Sequence, residues 1–272
     1  MIYSILKNKP TRLFIILAGF FITNAVLAEF IGVKIFSLED SLGLPRANIN
    51  LFGGSFSFHL TAGVVLWPVV FIMTDIINEY YGPRGVRFLS FLAVALISYG
   101  FFIVYMAIRL HPSEYFAMQE VANANDAFRG VFGQGLWIII GSIIAFLIGQ
   151  ILDVLVFHRI KKITGEKRIW LRATGSTLIS QLIDSFVVLF IAFYVGPRLD
   201  GAINQQWSLH QVLVTGSGNY IYKFVVALLL TPLIYLVHYW IENYLGQQTA
   251  TRMKRAAMGE KDEGFDNIPA AG

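Results

Sequence analysis

Residues 136–157 read LWIIIGSIIAFLIGQILDVLVF. The stretch carries one ionisable side chain, Asp153. At about 1.5 Å of rise per residue, a helix of this length crosses a hydrocarbon core of about 30 Å. Working outward, five more apolar stretches reach spanning length: residues 13–33, 59–78, 88–108, 173–195 and 220–241. The expected fold is therefore an all-α membrane protein, with six transmembrane helices in residues 1–245. A polar tail, 246–272, shows no periodicity and is expected to be mobile and cytoplasmic.

Composition agrees with this reading. Of 272 residues, 56% are hydrophobic, 15% aromatic and only 14% charged, where a soluble domain carries about 25% charged residues. Disorder is excluded by the apolar content, and a water-soluble enzyme has too few polar side chains to cover such a surface. The absence of cysteine excludes thiol catalysis, disulfides and cysteine-ligated metals. A net charge of +4 could suit nucleic acid. In a membrane chain, however, the placement of charge matters more than its sum, and no nucleic-acid partner is expected.

That placement sets the orientation. Lys7, Lys9 and Arg12 precede the first span, and Arg84 and Arg87 lie between the second and third. Arg159, Lys161, Lys162, Lys167, Arg168 and Arg172 lie between the fourth and fifth, and Arg252, Lys254, Arg255 and Lys261 are in the tail. The opposite side holds Arg46, Arg109, Arg129 and Arg198. Positive charge stays in the cytoplasm, so both termini are expected inside. The opening of the chain imitates a signal peptide, with Val26-Leu27-Ala28 as a small-residue cleavage site. The apolar pattern resumes after Glu29, so an uncleaved first helix is expected.

Trp67, Trp137, Trp170 and Trp240 fall near span ends, as an interfacial belt would. Pro68 and Pro232 fall within spans and should kink them. Gly141, Ala145 and Gly149 form a small-residue stripe, read as close packing within the chain, though it also suits a homo-oligomer.

Ionisable groups inside spans are costly and by default mark function. The interior candidates are Asn24, Glu29, Asp75, Asn78, Glu79, Gln150, Asp153, Gln181, Asp184 and Lys223. Spacings of three and four put Asp75, Asn78 and Glu79 on one helix face, Gln150 and Asp153 on another, and Gln181 and Asp184 on a third. Depth counting places Asn24 and Asp184 near the midplane and Asp75 and Asp153 in the inner half. Glu29 and Lys223 fall towards the outer side, where they are expected to pair. Convergence of these faces predicts a wet central cavity. A carboxylate beside an amide suits a small planar ligand with an amidine-like N–H edge. Tyr80, Tyr81, Tyr99, Phe101, Phe102 and Tyr222 are candidate stacking faces.

Catalytic readings fare worse. Gly216-Ser217-Gly218 and Gly175-Ser176 lack a convincing histidine partner for an intramembrane serine protease. No His-Glu-x-x-His metal motif and no Gly-x-x-x-x-Gly-Lys phosphate loop is present. No enzyme activity, cofactor or metal is expected.

The same polar motifs carry a resemblance. The blocks Pro68-Val69-Val70-Phe71-Ile72-Met73-Thr74-Asp75, Gly149-Gln150-Ile151-Leu152-Asp153-Val154-Leu155-Val156-Phe157, Ser176-Thr177-Leu178, Asp184-Ser185-Phe186, Ile191-Ala192-Phe193 and Tyr222-Lys223-Phe224 resemble the queuosine precursor transporter family, also described as a vitamin uptake transporter family. The resemblance implies import of 7-deazaguanine precursors of queuosine across the bacterial inner membrane. It also implies a fold similar to the six-helix substrate-binding components of energy-coupling-factor importers. Those components carry an Ala-x-x-x-Ala contact in helix one. Here the alanines are Ala18, Ala25 and Ala28, so a self-contained secondary carrier or facilitator is the expected reading. The alternative is a binding subunit that delivers its ligand to a separate energising complex. On the carrier reading Asp75, Asp153 and Asp184 are ligand or proton sites. Asn24, Gln150 and Gln181 are polar lining, Tyr222 a stacking face, and Lys223 a counter-ion.

Overall fold

A computed structural model describes all residues except 1–6, 33, 47–48, 52–53, 57, 114, 117–122, 134, 166–168, 202–203, 205 and 260–272. Lys167, Arg168 and Lys261 of the basic count lie outside the described residues, as does the side chain of Trp170.

The chain is overwhelmingly helical. In order, the helices are α1 (Lys9–Ile31), α2 (Leu38–Leu42), α3 (Trp67–Arg109), α4 (Ala124–Phe132), α5 (Leu136–Thr164), α6 (Ile169–Leu189), α7 (Gly196–Leu199), α8 (Leu209–Leu245) and α9 (Gln247–Ala257). A π-helical segment, Phe190–Val195, joins α6 to α7. Among the described residues, five segments contain helix long and apolar enough to cross a membrane, within Lys9–Ile31, Trp67–Arg109, Ala124–Thr164, Leu171–Leu199 and Leu209–Leu245. The protein is a multi-pass membrane protein.

Local chemistry sets the helix ends. The Asn8 side chain accepts from Thr11 N at 3.2 Å and caps α1, with Pro10 in its first turn. Ser208 and Gln211 form a reciprocal capping box at the start of α8. Gly246, at φ 86°, ends α8 in a conformation that L side chains rarely adopt.

The second and third expected spans are joined within α3 rather than separated by a loop. The joint is Gly82, at φ 73° and ψ −177°, followed by Pro83. Its consequence can be traced along α1. Gly63, just ahead of α3, lies against Ala28, while the Tyr81 hydroxyl donates to Pro10 O at 2.7 Å, so this half runs antiparallel to α1. Beyond Gly82, Gly85 lies against Phe14 and Gly100 against Phe30, so the second half runs parallel to α1. One glycine with positive φ, followed by a proline that needs no N–H partner, reverses the chain.

Two further expectations change here. Residues 59–66 were expected to begin the second span but form strand β4 (His59–Thr61) and one 3-10 turn (Ala62–Val65). β4 pairs antiparallel with β1 (Ile35–Ser37), and β2 (Ile49–Leu51) pairs with β3 (Gly54–Phe56). Among the described residues, four three-residue strands therefore interrupt a chain that is otherwise built on helices. Pro68 consequently sits in the first turn of α3, where its missing N–H costs nothing, and introduces no kink. Near these strands, outside the spans, Arg46 donates to Asp40 at 3.1 Å and holds that carboxyl below its ordinary range.

Beyond 245 the chain was expected to lack order, but Gln247–Ala257 is helix α9. Ala257 sits against Gly82, and Lys254 pairs with Glu242 and lies over the Tyr80 ring. A polar helix is stable here because it docks across the reversal in α3. The two ends of the helical bundle also meet: Lys9 Nζ donates to Tyr244 O at 2.9 Å.

Candidate functional site

α5 and α6 pack antiparallel as the central pair. Gly149 lets the backbone of α6 approach near Ser180 and Asp184, and Gly141 faces Val188 and Ile191. The small-residue stripe thus packs within the chain at both glycines. α3 crosses this pair on one side, with Thr74 Oγ1 3.5 Å from the Gln150 carboxamide, and α8 on the other, with Thr231 Oγ1 3.0 Å from Thr174 Oγ1.

Between these four helices lie two adjoining cavities. The first, of about 470 Å³ and open on one side, is lined by Asp75, Trp67, Phe71 and Ile72 from α3, Thr174, Thr177 and Gln181 from α6, and Tyr222 and Lys223 from α8, among others. The second, of about 270 Å³, is lined by Gln150 and Asp153 from α5, Ser180, Gln181 and Asp184 from α6, and aromatic rings from α3 and α5. Trp67, Phe71 and Gln181 border both. The Trp67 and Phe71 rings are stacked, with centroids 5.9 Å apart.

Six of the ten interior candidates line these cavities, Asp75, Gln150, Asp153, Gln181, Asp184 and Lys223, and so does Tyr222. Asp75 is 2% exposed, and its Oδ1 has no hydrogen-bond partner; the same holds for Oε1 of Gln181, 5% exposed. Buried acceptors normally find a donor, and these two face cavities: Asp75 lines the larger one and Gln181 borders both.

The other four, Asn24, Asn78, Glu79 and Glu29, lie elsewhere. Asn24 turns back to its own helix and donates to Phe20 O at 2.8 Å. Asn78 meets His158 Nε2 at 2.8 Å. Glu79 is held by Arg172 at 2.7 and 3.0 Å and by Lys161 at 3.0 Å, and all three side chains are buried. Shared helix face did not imply shared cavity, because Asn78 and Glu79 are one turn deeper than Asp75 and meet the ends of α5 and α6. This cluster lies beyond Asp75, towards the end of the bundle where Lys9 meets Tyr244.

Lys223 pairs with Asp184 at 2.5 Å, not with Glu29, which accepts from Ser142 Oγ at 2.6 Å. Glu29 is on α1, which packs mainly on α3 and reaches α5 at Ser142, whereas α8 packs directly on α6. Of the stacking candidates, Tyr222 alone lines either of these two cavities. Tyr80 meets His238 at 3.0 Å, Phe101 meets Phe30, and Tyr99 and Phe102 are exposed on the outer face.

Sequence reading missed Trp67, Phe71, Thr174 and Thr177 as lining, and Lys161 and Arg172 as buried counter-ions. For the two cations a signal existed: Glu79 needs a partner at its own depth, and Lys161 and Arg172 begin and end the adjoining turn. The aromatics had no such signal, since nothing in their spacing separates cavity wall from lipid face.

Comparison with known proteins agrees on one family. Residues 61–237 match the family described as "Putative vitamin uptake transporter". The chain is 30% identical over 196 residues to a protein of Bacillus subtilis named "Probable queuosine precursor transporter", covering 72% of this chain and 77% of that one. A Haemophilus influenzae protein of the same name is 30% identical over 228 residues, 83% of this chain and 86% of that one. The "Queuosine precursor transporter" of Escherichia coli is 28% identical over 173 residues, 62% of this chain and 69% of that one. No solved structure matches the chain significantly.

Proposed function

The chain belongs to the vitamin uptake transporter family, and from that premise we propose that it imports a 7-deazaguanine precursor of queuosine across the bacterial inner membrane. It acts as a secondary carrier or facilitator and not as an enzyme. The observation that carries this reading is Asp75, whose buried Oδ1 lacks a donor on the wall of the larger cavity.

A guanine-like edge presents N–H groups side by side, and a carboxylate accepts two such bonds. The Gln181 carboxamide, on the same wall, adds a donor for a ring carbonyl. Trp67, Phe71 and Tyr222 supply planar faces for the heterocycle. Asp184 and Lys223 neutralise each other, so they shape the cavity and leave Asp75 as the group that reads the ligand.

The chain crosses the membrane six times, with the two halves of α3 as separate crossings. Both termini are cytoplasmic, consistent with the basic residues gathered near Lys9 and Arg12. Release then requires the Glu79–Lys161–Arg172 cluster at the cytoplasmic end to separate.

The test uses bacteria unable to make the precursor and lacking their own importer, fed a 7-deazaguanine at low concentration. Queuosine should appear in their tRNA only when this protein is expressed. Its absence at normal membrane abundance would reject the substrate.

A further inference from the structure

We propose that the smaller cavity binds one monovalent cation, with sodium the ion it fits, and that Gln181 couples this ion to the ligand in the larger cavity. The coupling half rests on the transport reading above; the ion site stands on its own residues.

The first observation is the isolation of Asp153. It is 4% exposed, and its neighbours are the hydroxyls of Ser176, Thr177 and Ser180, with Ser180 Oγ at 3.5 Å. No lysine or arginine pairs with it among the described residues, whereas Asp184 on the same cavity is matched by Lys223. The cavity wall therefore carries one uncompensated carboxylate. A buried charge in a membrane requires a counter-charge or a proton.

The second observation is independent of charge. Gln181, which lines the same cavity, has its Oε1 buried without a donor, and among the described residues the only side-chain partner of Gln150 is Thr74, 3.5 Å away at the limit of hydrogen bonding. One carboxylate with neutral carbonyl and hydroxyl oxygens is a hard, weakly charged donor set. It suits an alkali cation. A divalent ion draws on several carboxylates, and among the described residues no three His, Cys, Asp or Glu side chains gather as a metal centre. A proton would occupy Asp153 alone and leave the Gln181 oxygen unbonded.

Gln181 lines both cavities. A cation on its carbonyl oxygen fixes the amide so that its N–H group faces the larger cavity, where it donates to the ligand. Ion and ligand then strengthen each other by the same factor, as linkage demands.

The experiment measures 22Na+ binding to the purified, detergent-solubilised protein without organic ligand, then 7-deazaguanine binding in sodium chloride against choline chloride. Saturable 22Na+ binding is expected, weakened about tenfold or more in Asp153→Asn. Sodium should raise deazaguanine affinity about 5- to 150-fold, and Gln181→Met should abolish that dependence. Gel filtration and thermal unfolding verify the fold; should Asp153→Asn not fold, Gln150→Ala carries the same comparison. Absence of saturable 22Na+ binding, unaltered 22Na+ binding in the folded variant, or deazaguanine binding that follows pH and ignores sodium would overturn the proposal. Because 22Na+ binding needs no deazaguanine, intact ion binding without deazaguanine transport would reject the substrate alone.

Discussion

Lys223 on α8 donates to Asp184 on α6 at 2.5 Å, and the two side chains are 14% and 21% exposed. The pair ties the two helices together at the rim where the cavities adjoin. It also removes Asp184 from the free carboxylates. Lys223→Met should therefore act mainly on stability, by about 1–3 kcal/mol, because it strands a partly buried carboxylate. The double variant Asp184→Asn with Lys223→Met should recover most of that loss. Thermal unfolding of the four proteins in one detergent gives the coupling. Strictly additive losses would mean that the pair contributes nothing.

Asp75→Asn should behave differently. The change keeps volume but presents an N–H group where the ligand's own N–H edge is expected. An unmatched buried donor costs about 1–3 kcal/mol, or roughly 5- to 150-fold in affinity. Thermal stability should change little or rise, since the wild-type Oδ1 has no partner to lose. Deazaguanine binding to the purified variant and queuosine levels in cells measure the effect. Wild-type affinity in Asp75→Asn would exclude this carboxylate from recognition.

One helical turn beyond Asp75, Glu79 faces two cations. Glu79→Gln leaves Lys161 and Arg172 adjacent, buried and without their carboxylate, so a loss of about 3–5 kcal/mol is expected. Lys161→Met should cost less, because Arg172 still donates twice to Glu79. Unfolding midpoints rank the two variants; a milder effect for Glu79→Gln would show that the cluster is not organised around its carboxylate.

The apolar helices were legible because each needs only length and apolar content, and residues 136–157 fall inside α5 as observed. The reversal at Gly82 was not, since Gly-Pro can mark a loop, a kink or a turn, and the φ of 73° depends on α1 and α9 packing around it. The paired strands at 35–61 were hidden by their three-residue length, too short for alternation to register. In the site, polar spacing found the right helices but not the depth at which each side chain ends. Asp75 and Glu79 share a face, yet one turn separates a cavity wall from an ion cluster. Helix α9 is held by Glu242 and Gly82, contacts that no local pattern announces.

Two antiparallel halves of α3 give a topology that differs in kind from one long helix. If Trp67–Tyr81 and the segment from Pro83 to Arg109 cross separately, Arg84 lies on the same side as Thr164 and both termini. His111 and Ser208 then lie on the other. A single crossing would instead put Arg84 within the membrane or reverse every later helix. The chain lacks cysteine, so single cysteines report cleanly. In intact spheroplasts an impermeant thiol reagent should label cysteines at 111 and 208 and spare those at 84 and 164. Inverted vesicles should give the opposite pattern. Both ends of the bundle meet where Lys9 reaches Tyr244, so a cysteine at Arg252 should follow 84 and 164. Labelling of 84 together with 208 from the same side would break the six-crossing arrangement, and with it the cytoplasmic position of the Glu79 cluster.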